Sequence, residues 1–150
     1  MDPRQMSGLQ FMKQIQEGTL SPPGMALTMG MDLPEVNEGT VRFRIRPDAR
    51  HTNPMGTVHG GFYATHLDSA TGIAVHSALA PGEAYATVEL HVQMLRGAPV
   101  GAEDLFAVGR LVHLTRNLAF AEGQIVDGAG TLYAQGRATC AILRPRGNAA

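Results

Sequence analysis

GGFYATHLDSATGIAVHSAL, running from Gly60 to Leu79, is long, unbroken and mostly apolar, and its reading decides the fold. Twenty residues are too many for one strand. With Asp68, two histidines and several hydroxyls, the run is too polar to cross a bilayer. It is therefore expected to be a helix, closed by Pro81-Gly82. Its Ala, Gly, Ser and Thr content lets other backbone approach closely, so the helix should be mostly buried.

The segments on either side supply what buries it. Before it, Leu9, Met12 and Ile15 recur at helical spacing, which predicts a helical segment within residues 1–20. Ser21-Pro22-Pro23-Gly24 breaks the chain. Val41, Phe43 and Ile45 alternate with three arginines, the period of a half-exposed strand. Residues 48–59 read as a loop, with Asn53-Pro54 and Gly56 as turn signals. After the long helix come strand candidates around residues 87–94, 103–114, 118–126 and 131–143. In the first, Thr87, Glu89, His91 and Gln93 are expected on a polar face, opposite Val88, Leu90, Val92 and Met94. Asp127-Gly128-Ala129-Gly130 looks like a hairpin turn. Residues 144–150 read as a frayed tail. The order helix, strand, long helix, four-strand meander points to an α+β layer architecture, an antiparallel sheet with one helix packed on it.

Bulk properties narrow the function classes. The chain has 150 residues, the size of one domain spanning 1–150. A net charge of -1 gives no reason to expect nucleic acid or an anionic membrane surface as a partner. Lys13 is the only lysine, so there is no P-loop lysine, and phosphate would have to be met by Arg, backbone N–H groups or helix ends. A single cysteine, Cys140, allows no disulfide framework. The N-terminus lacks the apolar core of a signal peptide, and the expected compartment is the cytoplasm.

Chemistry concentrates between Asn53 and Asp68. Paired glycines, Gly60 and Gly61, open the helix, where free N–H groups and the helix dipole can hold a phosphate or a developing oxyanion. A glycine pair is equally ordinary turn punctuation. Asp68 is sharper. A carboxylate on a buried helix is costly without a counter-charge, and Ala64, Leu67, Thr71 and Gly72 offer none. Such a group suits general-base or nucleophile work. It could instead lie on a wet stripe of the helix, or bond to Thr65 or Thr71. The six histidines show no metal-ligand spacing, and no GxSxG motif is present, so no metal site is expected.

NPMGTVHGG (53–61), then Asp68, then TVELHVQML (87–95) and LAFAEGQIVDGAGTLYAQGRAT (118–139) resemble the PaaI-like, phenylacetate-pathway branch of the hotdog-fold acyl-CoA thioesterases, within the 4-hydroxybenzoyl-CoA thioesterase superfamily. The resemblance spans roughly residues 35–143. It implies the hotdog fold, a curved antiparallel sheet wrapped around one long central helix, and hydrolysis of an acyl-CoA thioester. It also implies roles. Asp68 matches the carboxylate that attacks the thioester or activates water. Gly60 matches the N–H that polarises the carbonyl, and Asn53 the side chain that helps place the carbonyl or the water. Thr87 matches the hydroxyl that holds the water. His59 and Gly61 match the entrance, and the segments holding Arg96, Thr115, Arg116 and Asn117 match those touching CoA, with the two arginines as phosphate partners. No cofactor is implied, since CoA is part of the substrate. Two other functions suit the same fold: a non-catalytic acyl-CoA binder or sensor, and a hydratase or dehydratase with His59 as base.

Helix geometry adds a constraint. Gly60 and Asp68 are eight residues apart, about 12 Å along one helix and turned by about 80°. One thioester cannot touch both, so two subunits of a homo-oligomer must share each site. The resemblance implies the same sharing, in a dimer that pairs into a dimer of dimers.

Overall fold

The computed structural model describes residues 5–101 and 104–144. The expected tail therefore lies, beyond Arg144, outside the described residues. Helix α1 (Gly8–Gln16) starts at a capping box in which Ser7 Oγ accepts from the Gln10 N–H and Gln10 Oε1 accepts from the Ser7 N–H. A short helix α2 (Gly24–Thr28) follows the Pro22-Pro23 break. Then come β1 (Met31–Asn37), β2 (Thr40–Ile45), a single 3-10 turn (Ala49–His51) and the long helix α3 (Gly60–His76). Four strands complete the domain: β3 (Ala84–Met94), β4 (Leu105–Leu114), β5 (Leu118–Asp127) and β6 (Leu132–Leu143).

The six strands form one antiparallel sheet in the order β1-β2-β4-β5-β6-β3. This corrects the expected four-strand meander. β4, β5 and β6 are joined by tight turns and do form one, but β3 pairs with β6 at the far edge while β4 lies beside β2. The crossover from one edge to the other is set by the sheet closing round α3, and no local sequence signal encodes it. β1 is a further addition. Pro34 obscures it in the sequence, yet an edge strand tolerates proline, and the register slips between Asp32 and Glu35 to accommodate it. The Asp127 turn is as expected: the Asp127 carboxylate accepts from the Ala129 and Thr131 N–H groups.

α3 touches β2, β3, β4, β5 and β6, so the sheet curves around it, the hotdog architecture. What brings sheet and helix together is a row of glycines. Gly109, Gly123 and Gly136 are consecutive partners across β4, β5 and β6. A methyl on Gly109 would overlap the Ala70 carbonyl, and one on Gly123 would lie 3.2 Å from Leu67 Cδ2 and Thr71 Cγ2. The helix can settle this deeply only because three strands present bare backbone to it. Leu67, Ala70, Ala74 and Val75 are fully buried as a result. His66 is buried too, with Nδ1 2.6 Å from the Phe62 carbonyl and Nε2 3.3 Å from the Met29 carbonyl. Burial pushes its imidazole down to about 4, so it is neutral and serves as a strut between α3 and the end of α2. Among the described residues no helix is long and apolar enough to cross a membrane.

Candidate active site

The loop before α3 is organised by Asn53. Its Oδ1 accepts from the Met55 and Thr57 N–H groups, and its Nδ2 donates to Thr57 Oγ1 at 2.8 Å. Gly56, at φ 79, closes the turn in a conformation that favours glycine. His59 then caps the helix: its Nδ1 accepts from the Gly61 N–H at 2.8 Å. The two glycines thus divide their work. Gly61 gives its N–H to the cap, while the Gly60 N–H, first of the helix, has no hydrogen-bond partner among the described residues. It points outward at the positive end of the α3 dipole.

Asp68 lies two turns further along the same unbroken helix. Its Oδ1 is buried and has no hydrogen-bond partner. The local alternatives fail: Thr65 Oγ1 donates to the Gly61 carbonyl and Thr71 Oγ1 to the Leu67 carbonyl, so neither hydroxyl holds the carboxylate. A buried acceptor without a donor is costly in a folded protein, which makes Asp68 a candidate for chemistry.

Thr87 is turned toward the helix side of the sheet, by a route the sequence hid. A bulge in β3 between Thr87 and Glu89 leaves Val88 61% exposed and reverses the alternation. Thr87 therefore shares the helix-facing side with Tyr85, Leu90 and Val92, and the expected polar face is wrong at this residue. Thr87 Oγ1 lies 3.9 Å from Cys140 Sγ. Burial pushes the Cys140 thiol up, with the Asp68 charge adding to it. Tyr85 is the neighbour the sequence did not reveal. Its Oη rests on Gly72, one turn past Asp68, where a methyl would lie only 2.5 Å away. Burial first, and then the Asp68 charge, push its phenol up to about 12. A glycine at the centre of a buried helix was the available clue, since it means that something bulky sits on it.

The site residues fall into two groups at opposite ends of the sheet. Gly60 sits against Met94, whose Sδ would be 2.9 Å from a Gly60 Cβ, at one end of β3. Asp68, Tyr85 and Thr87 gather at the other end. Arg96 belongs to the first end, its carbonyl accepting from Tyr63 Oη and its N–H bonded to the Tyr133 carbonyl. Arg116 belongs to the second, in the β4–β5 turn. There Thr115 Oγ1 accepts from the Leu118 N–H, and the Asn117 carbonyl accepts from the Ile142 N–H. Met94 pairs with Ala134 and Leu118 with Ala141, so the two arginines are separated by roughly 23 Å at about 3.3 Å per residue. One chain does not bring them together, nor Gly60 to Asp68.

A cavity of about 710 Å³ opens beside Asp68, between α3 and an arch formed by α1 and α2. Its volume is in the range that holds a small organic ligand. Among the described residues no group of three or more His, Cys, Asp or Glu is placed to hold a metal.

The sequence pattern of the thioesterase superfamily matches residues 55–134. A protein of Halobacterium salinarum named as an esterase is 35% identical over 117 residues, 75% of this chain and 76% of that protein. Human acyl-coenzyme A thioesterase 13 is 32% identical over 104 residues, 67% of this chain and 71% of that protein. A crystal structure from Ralstonia eutropha, described as a thioesterase and phenylacetic acid degradation-related protein, superposes with a TM-score of 0.78 at 28% identity, covering 86% of this chain and 97% of that one.

Proposed function

We propose, from the premise that this chain belongs to the thioesterase superfamily and is a thioester hydrolase, that it cleaves acyl-CoA with Asp68 as general base or nucleophile and the Gly60 N–H as oxyanion donor. The observation that carries this is the buried, unpartnered Oδ1 of Asp68 facing a cavity large enough for an acyl group. A water held between Asp68 and Thr87 attacks the thioester carbon and yields its proton to Asp68. The carbonyl oxygen becomes an oxyanion that the Gly60 N–H stabilises at the helix N-terminus. Collapse breaks the carbon–sulfur bond, releasing the acid, and the thiolate of CoA takes up the proton. If Asp68 itself attacks, water hydrolyses the resulting anhydride and the products are the same. CoA is part of the substrate, and no cofactor is needed. A hydratase built on His59 is disfavoured, because its Nδ1 already caps α3.

Each site is shared by two subunits in this proposal. The fold supports it: β3 is the sheet edge, with Val88 and Met94 exposed along it. Antiparallel pairing of β3 with its own copy would set the Gly60–Met94–Arg96 end of one subunit beside the Asp68–Tyr85–Thr87–Arg116 end of the other. Asn53, His59, Gly60 and Arg96 would then come from one chain, and Asp68, Thr87, Thr115, Arg116 and Asn117 from its partner. Both arginines could reach one CoA. Pairing of such dimers into a tetramer is an extension of the same proposal.

The direct test is Asp68→Asn. Turnover of acyl-CoA, followed by thiol release, should fall at least ~100-fold, the usual scale for losing a base or nucleophile. KM should change far less, since the carboxylate acts on the carbonyl carbon and not on CoA. Near-wild-type turnover in a folded variant would remove Asp68 from the reaction.

A further inference from the structure

We infer that the cavity under the α1–α2 arch receives the acyl group, and that Phe11 and His76 form its end wall and set the longest chain the enzyme accepts. This rests on the thioesterase proposal and adds the substrate class to it. On the α3 side the cavity is lined by Asp68, Ser69, Ile73 and His76, a single face of the helix running from the carboxylate to the helix end. Opposite it the arch contributes the apolar side chains Phe11, Met12 and Ile15. The charged groups at the rim are neutralised in place, since Arg44 holds Asp32 at 2.8 Å. An apolar acyl group suits such a lining, and one ending in a charge does not.

The end wall is an aromatic pair. The Phe11 and His76 rings meet edge-to-face at 5.9 Å. Tyr85, seated on Gly72 nearer the carboxylate, braces the pair from the side, its ring 5.9 Å from that of His76. Burial keeps these groups uncharged, lowering the His76 imidazole and raising the Tyr85 phenol. The arch is pinned at this same end. The Gly8 N–H donates to the Leu79 carbonyl at 3.0 Å, and Gly8 lies so close to the His76 carbonyl that no larger residue fits. The wall therefore does not swing away as a lid would.

Its position gives a length. Asp68 and His76 are eight residues apart on α3, about 12 Å along the axis. An extended chain advances roughly 1.1–1.2 Å per bond, as a polypeptide does. About ten bonds then fit between the reacting carbonyl and the wall. The substrate class is a saturated or aryl-terminated acyl group of up to about ten carbons.

The experiment is a chain-length series of straight acyl-CoAs from acetyl to palmitoyl, read as kcat/KM. The wild type should rise to octanoyl or decanoyl and fall at least tenfold by palmitoyl, as pocket discrimination allows. Phe11→Ala opens the wall and should raise the palmitoyl-to-octanoyl ratio about tenfold. Ser69→Phe fills the cavity just past the carboxylate and should lower the octanoyl-to-acetyl ratio at least tenfold. Phe11→Leu stands in if Phe11→Ala does not fold, and should move the first ratio in the same direction. Hydrolysis with length profiles unmoved by these variants would overturn the acyl cavity and leave the thioesterase proposal standing. No hydrolysis of any acyl-CoA by the wild type would overturn both.

Discussion

Replacing Gly60 by proline should delete one N–H and leave everything around it in place. Proline is favoured at the first position of a helix, where its missing N–H has no intrahelical partner to lose. The residue before a proline must be extended, and His59 already is, at φ -66 and ψ 139. The new Cβ would meet Met94 Sδ at 2.9 Å and Cε at 3.1 Å, but these are the end of a flexible side chain that is 52% exposed and free to turn. The His59–Gly61 cap is untouched. The variant should therefore fold as the wild type does and lose only the oxyanion donor, a loss of about 100–1,000-fold in kcat. The second half of the experiment exploits the helix. Gly60 and Asp68 stand about 12 Å apart along α3 and about 80° apart around it, whereas the reacting carbonyl must lie within roughly 3 Å of both. Mixing Gly60→Pro subunits with Asp68→Asn subunits, each nearly inactive alone, puts both lesions into one site of every mixed dimer and none into the other. With free exchange about half the dimers are mixed and each has one intact site, so thiol release should recover to about a quarter of wild type. Proven exchange with no recovery would refute the shared site. Wild-type turnover by Gly60→Pro alone would refute the oxyanion assignment.

Two further outcomes are expected. Gly109→Ala should destabilise the fold by about 3 kcal/mol or more in urea unfolding, because its methyl meets the Ala70 backbone and the whole helix must lift. Gly128→Ala, with nothing within 4 Å of the added methyl, should stay within about 0.5 kcal/mol, and equal effects of the two would undo the account of helix seating. Arg96→Ala and Arg116→Ala should each raise KM for acyl-CoA by about tenfold at low salt, with kcat little changed, because phosphate contacts are alike in ground and transition states. Unchanged KM in both would place these arginines away from CoA.

What was legible in the sequence was local or carried by family likeness. The 3.6-residue period exposed α1, the long apolar run α3, and the two-residue period most of β2, β4, β5 and β6, because these patterns arise within a few residues of the chain. The Gly60–Asp68 spacing likewise set the separation of the two along α3, since helix rise is the same in every protein. What the tertiary structure decided was non-local. β1 exists because β2 pairs with it across Pro34, and β3 lies at the far edge because the sheet has to close around the helix. The Val88 bulge, which turns Thr87 toward the helix side of the sheet, is a matter of pairing with β6 and leaves no trace in the alternation of side chains. Tyr85 joined the site through Gly72, thirteen positions away, and His76 and Phe11 through the folding back of the N-terminal arch. Periodicity records which face of an element is buried. Which residues meet on that face depends on contacts between elements far apart in the chain, and only the folded backbone supplies them.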